Sequence, residues 1–599
     1  MGRASIWLAG GAIMFGPAAI MPGVAFAQTT PVPGQIPQPP TREEVERVPV
    51  RPPVPRQPRL SVEGEIERAP CALSGDQFRN IRFTVNSVAF DDLRGLPAEA
   101  LQPAYAEYVG TEQPVAVICE IRDRAATILR NAGYVAAVEV PEQRIADGNV
   151  RFQVLMAKLV NVRVRGDAGR AERTIAGYLQ RLTEAEVFNR YDAERYLLLA
   201  GDLPGYDVRL SLRSAGAGRG EVVGEVAVLR TPGEIDFNVQ NFGSTALGRF
   251  GGLIRGQAYG LTGLGDRTTI ALFSTADFDE QQTIQIGHDF RLGSEGLTLS
   301  GQFTHAWADP DVDDTGFDVK ARTLLATAEA SYPFLRTQAA SVYGAAGLDI
   351  VNQRVNVNGD PLTRDRLRMA FLRLNMEATD PDSLLGRNGF NSAEPRWRVN
   401  GSLSLRRGLD ILGASEGCGP NLIRCNAASV TTPSRLEGDP TPTVIRSEFY
   451  GEVRPMPKLT LSAGLRAQHS GDPLLSFEEF SAGNYTVGRG YDPGTLLGDS
   501  GVGIQFEARF GSILPKAANR ASVQPYLFFD VAKVTNEDRL TADFNNSLTS
   551  IGGGLRSLYR GATLDVAFAV PLERAGLQTS RPDPRLLISL TTRLFPWSF

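Results

Sequence analysis

The feature that most constrains this chain is a two-residue alternation of apolar and polar side chains, which dominates the sequence after residue 234. In segment 458–469, leucine and alanine mostly occupy every second position, and polar residues or glycine fill the positions between. Successive side chains of a β-strand point to opposite faces, so this pattern predicts strands with one apolar and one polar face. We count sixteen such segments: 235–242, 247–260, 267–278, 281–293, 296–308, 319–333, 338–352, 366–379, 395–409, 443–455, 458–470, 501–511, 523–534, 548–558, 561–570 and 585–595.

Sixteen alternating strands without intervening helices favour an all-β transmembrane barrel over a soluble two-layer sandwich. An even number of antiparallel strands is typical of closed bacterial barrels, whose outer loops are longer than their inner turns. The connections after odd-numbered strands include the long ones, at 309–318, 353–365, 410–442, 471–500, 535–547 and 571–584. Two inner turns, 380–394 and 512–522, are longer than this rule predicts.

The composition of the 599-residue chain excludes several functional classes. Its 62 Lys and Arg residues are balanced by 67 Asp and Glu residues, which gives no reason to expect nucleic-acid binding. After residue 30, no stretch approaches the roughly 18 consecutive apolar residues of a membrane helix. The three histidines, His288, His305 and His469, are far apart in sequence, so we expect no metal site.

Two N-terminal segments lack the pattern of a folded domain. Residues 1–27 carry an apolar run that ends in Ala25-Phe26-Ala27, which predicts a secretory signal peptide rather than a membrane anchor. Residues 28–70 form a Pro-rich linker, with ten prolines between residues 31 and 60, so we expect an extended periplasmic tether. Within it, only residues 41–48 are free enough of proline to form two helical turns.

Residues 71–232 mix short strands with helical segments, unlike the chain that follows. The pattern predicts two β-α-α-β-β units, in which 206–212 and 221–229 pair as a hairpin and offer candidate sheet edges. We expect strands at 81–90, 134–140, 150–156, 160–165, 206–212 and 221–229, and helices at 99–108, 117–131, 171–182 and 192–200. The domain assignment is 71–158 for the first unit, 159–232 for the second and 233–599 for the barrel.

Three groups of residues carry a resemblance to a known family. They are Gly133, Tyr134, Pro141, Gln143 and Gly148 in the first unit; Val487, Gly488, Arg489, Gly490 and Tyr491 in the connection 471–500; and Phe528, Asp530 and Ala532 in strand thirteen. With them, residues 70–599 resemble the TpsB transporters of two-partner secretion, the ShlB/FhaC/HecB-like haemolysin secretion/activation proteins. That family belongs to the superfamily of outer-membrane barrels that carry POTRA domains. The sequence departs from the superfamily motifs at Gly488, an extra glycine before the arginine, and at Ala532, which replaces a glycine.

The resemblance implies that the connection 471–500 folds into the barrel lumen and that Arg489 contacts Asp530. The alternation places Asp530 on the same strand face as Gln524 and Tyr526, which we expect to be the lumen face. A guanidinium can offer two parallel donors to a carboxylate, which a lysine cannot reproduce. We therefore expect this pair to hold the loop against the wall.

The four cysteines suit an oxidising compartment, because their number is even. The resemblance places Cys71 and Cys119 near positions where many family members carry a paired cysteine. Cys418 and Cys425 lie seven positions apart in the longest outer loop, where either a small disulfide cap or two free thiols is possible. Neither pair has the spacing of a zinc site.

The resemblance implies a pore in the cell outer membrane that secretes a large unfolded exoprotein, the TpsA-like partner, with activation of that protein as a further role. The POTRA units would bind the substrate in the periplasm. Other implied partners are outer-membrane lipid and the barrel-assembly machinery, which would read the C-terminal strand ending at Phe599. No cofactor is expected, because the glycine-rich segment 488–494 opens no helix and so lacks the context of a phosphate loop.

Three alternatives remain open at this point. An insertase that folds other barrels belongs to the same superfamily but generally carries more POTRA units. A passive porin or uptake channel would leave the POTRA units and the motif loop unexplained. An enzyme embedded in a barrel is disfavoured, because His469 and Ser500 only loosely imitate a serine-protease pair and the surrounding spacing does not match.

Overall fold

The structure, a computed structural model, describes residues 40–46, 60–62 and 71–596, except for 72, 74, 79, 215–219, 311–317, 428–429, 518 and 539–544. The predicted signal peptide, most of the tether and the C-terminal Phe599 lie outside the described residues. Within the described part of the chain, no helix combines the length and apolar character that a membrane crossing requires.

Two short elements come from the tether. Helix α1 (Arg42–Val45) begins with a reciprocal cap between Thr41 and Glu44. The backbone N–H of Glu44 donates to the Thr41 hydroxyl over 3.4 Å, and the backbone N–H of Thr41 donates to the Glu44 carboxylate over 2.9 Å. Strand β1 (Leu60–Val62) joins a sheet of the second α+β unit.

The first α+β unit is a small sheet covered by one long helix. Its elements are β2 (Arg82–Thr84), β3 (Ser87–Asp91), β4 (Glu112–Pro114), α2 (Val117–Asn131), β5 (Ala136–Glu139) and β6 (Asn149–Met156). The main sheet has the order β3-β6-β5, with β3 parallel and β5 antiparallel to β6. The buried residues of α2 recur every three or four positions and join the sheet in one core.

Two predicted elements of the first unit differ from the structure. The segment 99–108 forms 3-10 turns, Ala98–Ala104 and Ala106–Tyr108, instead of an α-helix. Pro103 lies inside the first turn, and its ring nitrogen cannot donate to an α-helical ladder. The predicted strand 81–90 is divided into β2 and β3.

The second α+β unit repeats the plan of the first. Its elements are β7 (Lys158–Gly166), α3 (Glu172–Glu184), α4 (Arg190–Gly201), β8 (Tyr206–Ser214) and β9 (Glu221–Arg230). The sheet order is β1-β8-β9-β7, with β8 and β9 paired as the expected hairpin. The prediction that 221–229 forms a sheet edge is wrong, because β9 lies between β8 and β7. The outer edge of β8 carries β1.

The remaining strands close into a barrel of sixteen antiparallel strands, which confirms the predicted fold class. In chain order the elements are β10 (Gly233–Gln240), β11 (Gly251–Tyr259), β12 (Arg267–Thr275), β13 (Gln281–Leu292), β14 (Leu297–Ala308), β15 (Val319–Arg336), β16 (Ala340–Val357), β17 (Asp360–Thr379), α5 (Pro381–Leu384), β18 (Trp397–Gly408), β19 (Thr443–Met456), β20 (Leu459–Ser470), β21 (Phe480–Ala482), β22 (Leu496–Gly498), β23 (Ser500–Phe510), β24 (Ser522–Thr535), β25 (Ser547–Tyr559), β26 (Ala562–Pro571) and β27 (Arg585–Phe595). Strands β10 and β27 pair to close the barrel, while β21 and β22 form a separate small hairpin.

One predicted outer loop, 353–365, is instead a strand hairpin. Strands β16 and β17 continue until a turn at Asn358 and Gly359, both of which have positive φ, at 53° and 89°. Asparagine followed by glycine is a strong signal for a two-residue hairpin, because both residues tolerate this backbone conformation.

The two faces of the barrel strands differ as the alternation predicts. On β24, the side chains of Gln524, Tyr526 and Asp530 are buried toward the lumen. On the opposite face, Leu527 is 60% exposed, as expected of a side chain that faces lipid. The wall is therefore polar inside and apolar outside.

The second α+β unit is docked on one rim of the barrel, which we call the inner rim. Asp202 at the end of α4 forms two hydrogen bonds with the guanidinium of Arg336, over 2.6 and 2.7 Å. The Thr174 hydroxyl donates to the carbonyl of Gly263 over 3.1 Å, and the backbone N–H of Gln338 donates to the Glu194 carboxylate over 2.6 Å. These contacts join helices α3 and α4 to separate turns of the inner rim.

Candidate functional site in the barrel lumen

The connection between β20 and β23, residues 471–499, folds back into the barrel and is called the lumen loop below. Its small hairpin of β21 and β22 belongs to a buried apolar cluster shared with the barrel wall. The loop contributes Phe480, Ala482, Val487, Tyr491 and Leu496, and the wall contributes Ala532, Val534 and Leu548. The predicted lumen position of this loop therefore agrees with its packing.

Arg489 joins the lumen loop to the wall through Asp530. Its Nε lies 3.0 Å from Oδ2 of Asp530, and its Nη2 lies 2.7 Å from Oδ1. The backbone N–H of Arg489 donates to the same carboxylate over 2.9 Å. The third guanidinium nitrogen, Nη1, donates to Glu507 over 3.0 Å. Asp530 is fully buried, so the pair is a bidentate, charge-assisted contact shielded from bulk water.

An aromatic ring completes the arginine site. The guanidinium carbon of Arg489 lies 3.7 Å from the ring centroid of Phe528, close enough for a cation–π interaction. The structure thus brings Arg489 and Asp530 together, as the resemblance implied, and places Phe528 of the same motif against the guanidinium. Ala532, the residue in place of the family glycine, lies in the apolar cluster under the lumen loop.

The two glycines that flank Arg489 allow the loop to approach the wall. Gly488 has a φ of 119°, and a Cβ there would lie 2.6 Å from the Cδ1 of Leu548. A Cβ on Gly490 would lie 2.9 Å from the backbone nitrogen of Pro571. Any other residue at these positions would push the loop away from the wall.

Tyr491 fixes the loop at a second point. Its side chain is fully buried, and its hydroxyl lies 2.9 Å from the carbonyl oxygens of both Thr549 and Glu573. Val487 is also buried against the wall, where a Cβ on Gly503 would meet it at 2.8 Å. All five residues of the predicted lumen-loop motif therefore contact or approach the strands.

Helix α1 lies inside the lumen beside this loop, a feature that the sequence reasoning left open. Arg42 donates to the carboxylate of Glu478 on the lumen loop over 2.7 Å. Glu43 accepts a hydrogen bond from Arg466 of the wall over 2.7 Å. Val45 is buried in an apolar cluster that spans the loop and the wall. Two elements from distant parts of the chain thus occupy part of the lumen.

Glu478 is the point where helix, loop and wall meet. Its buried carboxylate receives Arg42 from α1 and two wall arginines, Arg406 over 2.9 Å and Arg446 over 2.8 Å. Asp349 of the wall also contacts Arg406, over 2.8 Å. Sequence reasoning missed this cluster. The local signal that could have located α1 was Thr41 followed three positions later by Glu44, the pattern of a capping box.

A cavity of about 700 Å³ remains between α1, the second α+β unit and the wall. Its lining is rich in charged side chains, among them Arg255, Arg267, Asp289 and Glu329. This space is polar, as expected of a water-filled lumen.

The predicted POTRA signature residues shape turns of the first α+β unit and are not part of the lumen site. Gly133 has a φ of 90°, and its Cβ would lie 2.5 Å from the ring of Tyr191 in the second unit. The Tyr134 hydroxyl donates to the carbonyl of Gly95 over 2.8 Å. Gln143 bonds both backbone groups of Arg151, over 2.7 and 2.8 Å.

Two further signature residues, Pro141 and Gly148, lie in the segment between β5 and β6. Pro141 is exposed, and its carbonyl accepts from the Gln143 amide over 3.4 Å. Gly148 has a φ of 76°, and a Cβ there would collide with the carbonyl of Thr84. Both residues therefore influence the backbone conformation of the segment between β5 and β6.

The four cysteines form two disulfides in the structure. Cys71 is bonded to Cys119 on α2, and Cys418 is bonded to Cys425 in the loop between β18 and β19. The first disulfide ties the start of the first α+β unit to its helix, and the second closes a small ring in the longest outer loop.

The remaining candidates from the sequence are the histidines and Ser500. His469 lies 3.3 Å from the Ser500 hydroxyl, but the His469 side chain is exposed on the outward face of β20. His288 instead contacts Thr268, over 2.9 Å. Among the described residues, no group of three His, Cys, Asp or Glu side chains is arranged to hold a metal ion.

Comparison with known proteins agrees with this architecture. A family model described as haemolysin secretion/activation protein ShlB/FhaC/HecB matches residues 227–557, and a model of the ShlB-type POTRA domain matches residues 83–156. No curated protein matches the sequence.

Two solved structures share the fold. CdiB from Escherichia coli is 15% identical, with a TM-score of 0.70, and the similarity covers 89% of this chain and 94% of that one. CdiB from Acinetobacter baumannii is 15% identical, with a TM-score of 0.62, over 90% of this chain and 94% of that one. The match to the family model spans more than half of the 599 residues. The chain therefore belongs to the ShlB/FhaC/HecB family of haemolysin secretion/activation proteins.

Proposed function

We propose that this protein exports one large, unfolded, TpsA-like partner from the periplasm to the cell surface by two-partner secretion. Its family makes it an outer-membrane secretion transporter with POTRA domains in the periplasm. In this proposal residues 71–158 and 159–232 are the two POTRA units, and residues 233–599 are the pore. The inner rim then faces the periplasm.

The observation that supports the proposal most is the set of contacts that hold α1 and the lumen loop inside the barrel. Helix α1 and the lumen loop are held by ion pairs, such as Arg489 with Asp530 of the wall and Arg42 of α1 with Glu478 of the loop, and by two apolar clusters shared with the wall. A hydrogen bond to a charged group contributes about 1.5–3 kcal/mol net, because water can replace the lost partner. The ion pairs can be broken and remade in a polar lumen, and the two apolar clusters exposed with them are small, with nine and eight buried residues. They suit a channel that opens for a substrate and closes after it.

The first α+β unit offers a place where an unfolded partner could bind. Strand β5 (Ala136–Glu139) pairs with β6 on one side only among the described residues. An extended polypeptide can add to such an edge through main-chain hydrogen bonds, which depend little on side-chain identity. This mode suits a long substrate that reaches the transporter unfolded.

Two other functions fit these features less well. A passive porin would need an open lumen, whereas α1 and the lumen loop occupy it here. An insertase shares the superfamily but generally carries more POTRA units than the two α+β units of the described chain. Activation of the exported protein is a further role in this proposal. It is tested in the same assay by measuring the activity of the secreted partner.

The proposal is tested by secretion of the candidate partner from a Gram-negative host with and without this chain. We expect Arg489→Ala to abolish most export while the barrel still assembles and remains resistant to detergent at low temperature. Arg364→Ala is the matched control, because Arg364 is an exposed arginine on the outer hairpin. Normal export by Arg489→Ala would refute the role of the lumen loop. A general fall in other outer-membrane barrels on loss of the chain would indicate an insertase.

A further inference from the structure

The outward face of the barrel wall carries a group of arginines near its outer end, away from the inner rim. Four neighbouring strands contribute one each, and we call them the belt arginines: Arg322 on β15, Arg354 on β16, Arg366 on β17 and Arg407 on β18. At the outer ends of the other twelve barrel strands, the structure describes one lysine or arginine on the outward face, Lys533. Positive charge is therefore concentrated on one side of the barrel.

The belt arginines lie where the lipid-facing surface ends. Two or four positions closer to the inner rim, the same outward faces carry apolar residues, namely Leu324, Ile350, Ala370 and Leu405. Such a separation along a strand is about 7–13 Å. Lys320 and Arg364 lie two positions farther out on β15 and β17, beyond this boundary. The belt arginines are thus at the level where the acyl chains of a membrane meet its headgroups.

Among the described residues, no belt arginine is paired with a carboxylate. The side chains of Arg322 and Arg354 are exposed and form no hydrogen bond within the described chain. Arg407 donates to a threonine hydroxyl over 2.6 Å, and Arg366 donates to a backbone carbonyl over 3.5 Å. Arg368, beside the belt on β17, is buried and donates to backbone carbonyls of the outer loop. The described protein therefore leaves the charge of the belt uncompensated.

Two of the belt arginines directly oppose each other. Arg322 and Arg354 are register partners on neighbouring strands, a position at which like charges destabilise a sheet. An anion between the two guanidinium groups would remove this repulsion. Each guanidinium can also offer two parallel donors to the oxygens of a phosphate group. The pair is therefore suited to a phosphate ligand.

The extent of the belt indicates the size of the ligand. From β15 to β18 the belt crosses three strand spacings, which is about 14–15 Å. One phosphate group cannot contact arginines so far apart, whereas a headgroup with two phosphates can. The apolar residues next to the belt offer a surface for the acyl chains of the same molecule. Charge and apolar surface together match a phosphorylated lipid with a large headgroup.

We propose that the belt arginines bind the phosphate groups of a bisphosphorylated glycolipid in the outer leaflet of the outer membrane. The acyl chains of that lipid lie along the apolar outward residues of β15–β18. This inference goes beyond the proposed function and takes from it only the orientation of the barrel, with the inner rim toward the periplasm.

The first test measures binding of fluorescent bisphosphorylated lipid A to the full-length protein in detergent. The variant Arg322→Gln/Arg354→Gln/Arg407→Gln removes three belt charges and keeps polar side chains at these positions. We expect it to bind lipid A at least tenfold more weakly than the parent does. Equal affinity in the parent and this variant overturns the proposal.

A matched control removes the same number of positive charges from another part of the outer end. The control variant is Lys533→Gln/Arg574→Gln/Arg581→Gln, and all three residues are exposed on β24 or in the outer loop between β26 and β27. We expect its affinity for lipid A to stay within twofold of the parental value. A tenfold loss in the control would show that net charge alone attracts the lipid and would overturn the assignment to the belt.

The second test uses the parent protein alone, so it stays decisive even if the triple-glutamine variant fails to fold. We expect the parent to bind dephosphorylated lipid A at least tenfold more weakly than bisphosphorylated lipid A. Equal affinities would show that apolar contact suffices and would overturn phosphate recognition. Equal affinity for phosphatidylglycerol, which has a single phosphate, would overturn the assignment to a bisphosphorylated headgroup.

Inorganic phosphate distinguishes a lipid site from a site for a free anion. We expect millimolar inorganic phosphate to leave most of the lipid A bound, and complete displacement would overturn the assignment to a lipid. Failure of the proposed function would appear instead as normal partner secretion without the chain, a result that the lipid measurements do not influence.

Discussion

Replacing Arg489 with lysine tests whether the guanidinium, rather than positive charge alone, holds the lumen loop. Arg489 makes three side-chain hydrogen bonds, two to Asp530 and one to Glu507, and lies over the ring of Phe528. The lysine ammonium carries its three donors on one nitrogen and cannot match the planar fork of the guanidinium, so we expect it to lose two of these bonds and the stacking. Each hydrogen bond to a charged group contributes about 1.5–3 kcal/mol, and water entering the lumen offsets part of the loss. We therefore expect the loop to be released about 2–4 kcal/mol more easily.

The assay is the rate of maleimide labelling at a cysteine introduced as Ser481→Cys. Ser481 is buried on β21, and the four native cysteines are paired in disulfides, so labelling reports release of the loop. Because 1.4 kcal/mol corresponds to a factor of ten, Arg489→Lys should increase the rate by about 30- to 700-fold. Arg364→Lys, on the exposed outer hairpin, should leave it unchanged. A rate within twofold of the parent in Arg489→Lys would refute the reasoning.

Three further substitutions test other contacts of the closed state. Gly488→Ala forces a side chain into a positive-φ position against Leu548, so we expect faster Ser481→Cys labelling by at least tenfold, partly reversed by Leu548→Ala. Asp202→Ala leaves Arg336 at the inner rim without its bidentate partner, so the second α+β unit should loosen, measured as a broader spin-label distance distribution between unit and barrel. A distribution as narrow as that of the parent would contradict the docking role. Arg42→Ala removes the ion pair to Glu478, so channel openings in planar bilayers should become at least several-fold more frequent, and an unchanged frequency would exclude a role in holding α1.

The barrel could be predicted from sequence because membrane and lumen impose opposite polarity on successive residues. The same physics explains the error at 353–365. That segment extends into the outer hairpin, where both strand faces meet polar surroundings, so successive polar residues such as Arg364 and Asp365 break the alternation. The Asn358-Gly359 turn was the remaining local signal.

The lumen site was predictable only in part. Arg489 and Asp530 lie in recognisable motifs, so the resemblance alone predicted the contact that the structure contains. The contacts of α1 have no such signal, because Arg42 is separated from Asp349 and Glu478 by 307 and 436 positions. A four-residue helix in a Pro-rich segment is too short to be predicted from periodicity, and its stability depends on partners that only the closed barrel supplies.

The charge of the α1 segment has a consequence for ion selectivity. Residues 42–46 contain one arginine and three glutamates, so the segment carries a net charge of −2 into the lumen. Glu43 faces Arg466, and Arg42 shares Glu478 with Arg406. When α1 leaves, the lumen becomes more positive by the same two charges, and Arg466 of the wall loses its ion pair with Glu43. The charge of a pore lining influences which ions it conducts, so the ratio of chloride to potassium permeability should rise when α1 leaves, and acidic stretches of a polypeptide should then enter the pore more readily than before.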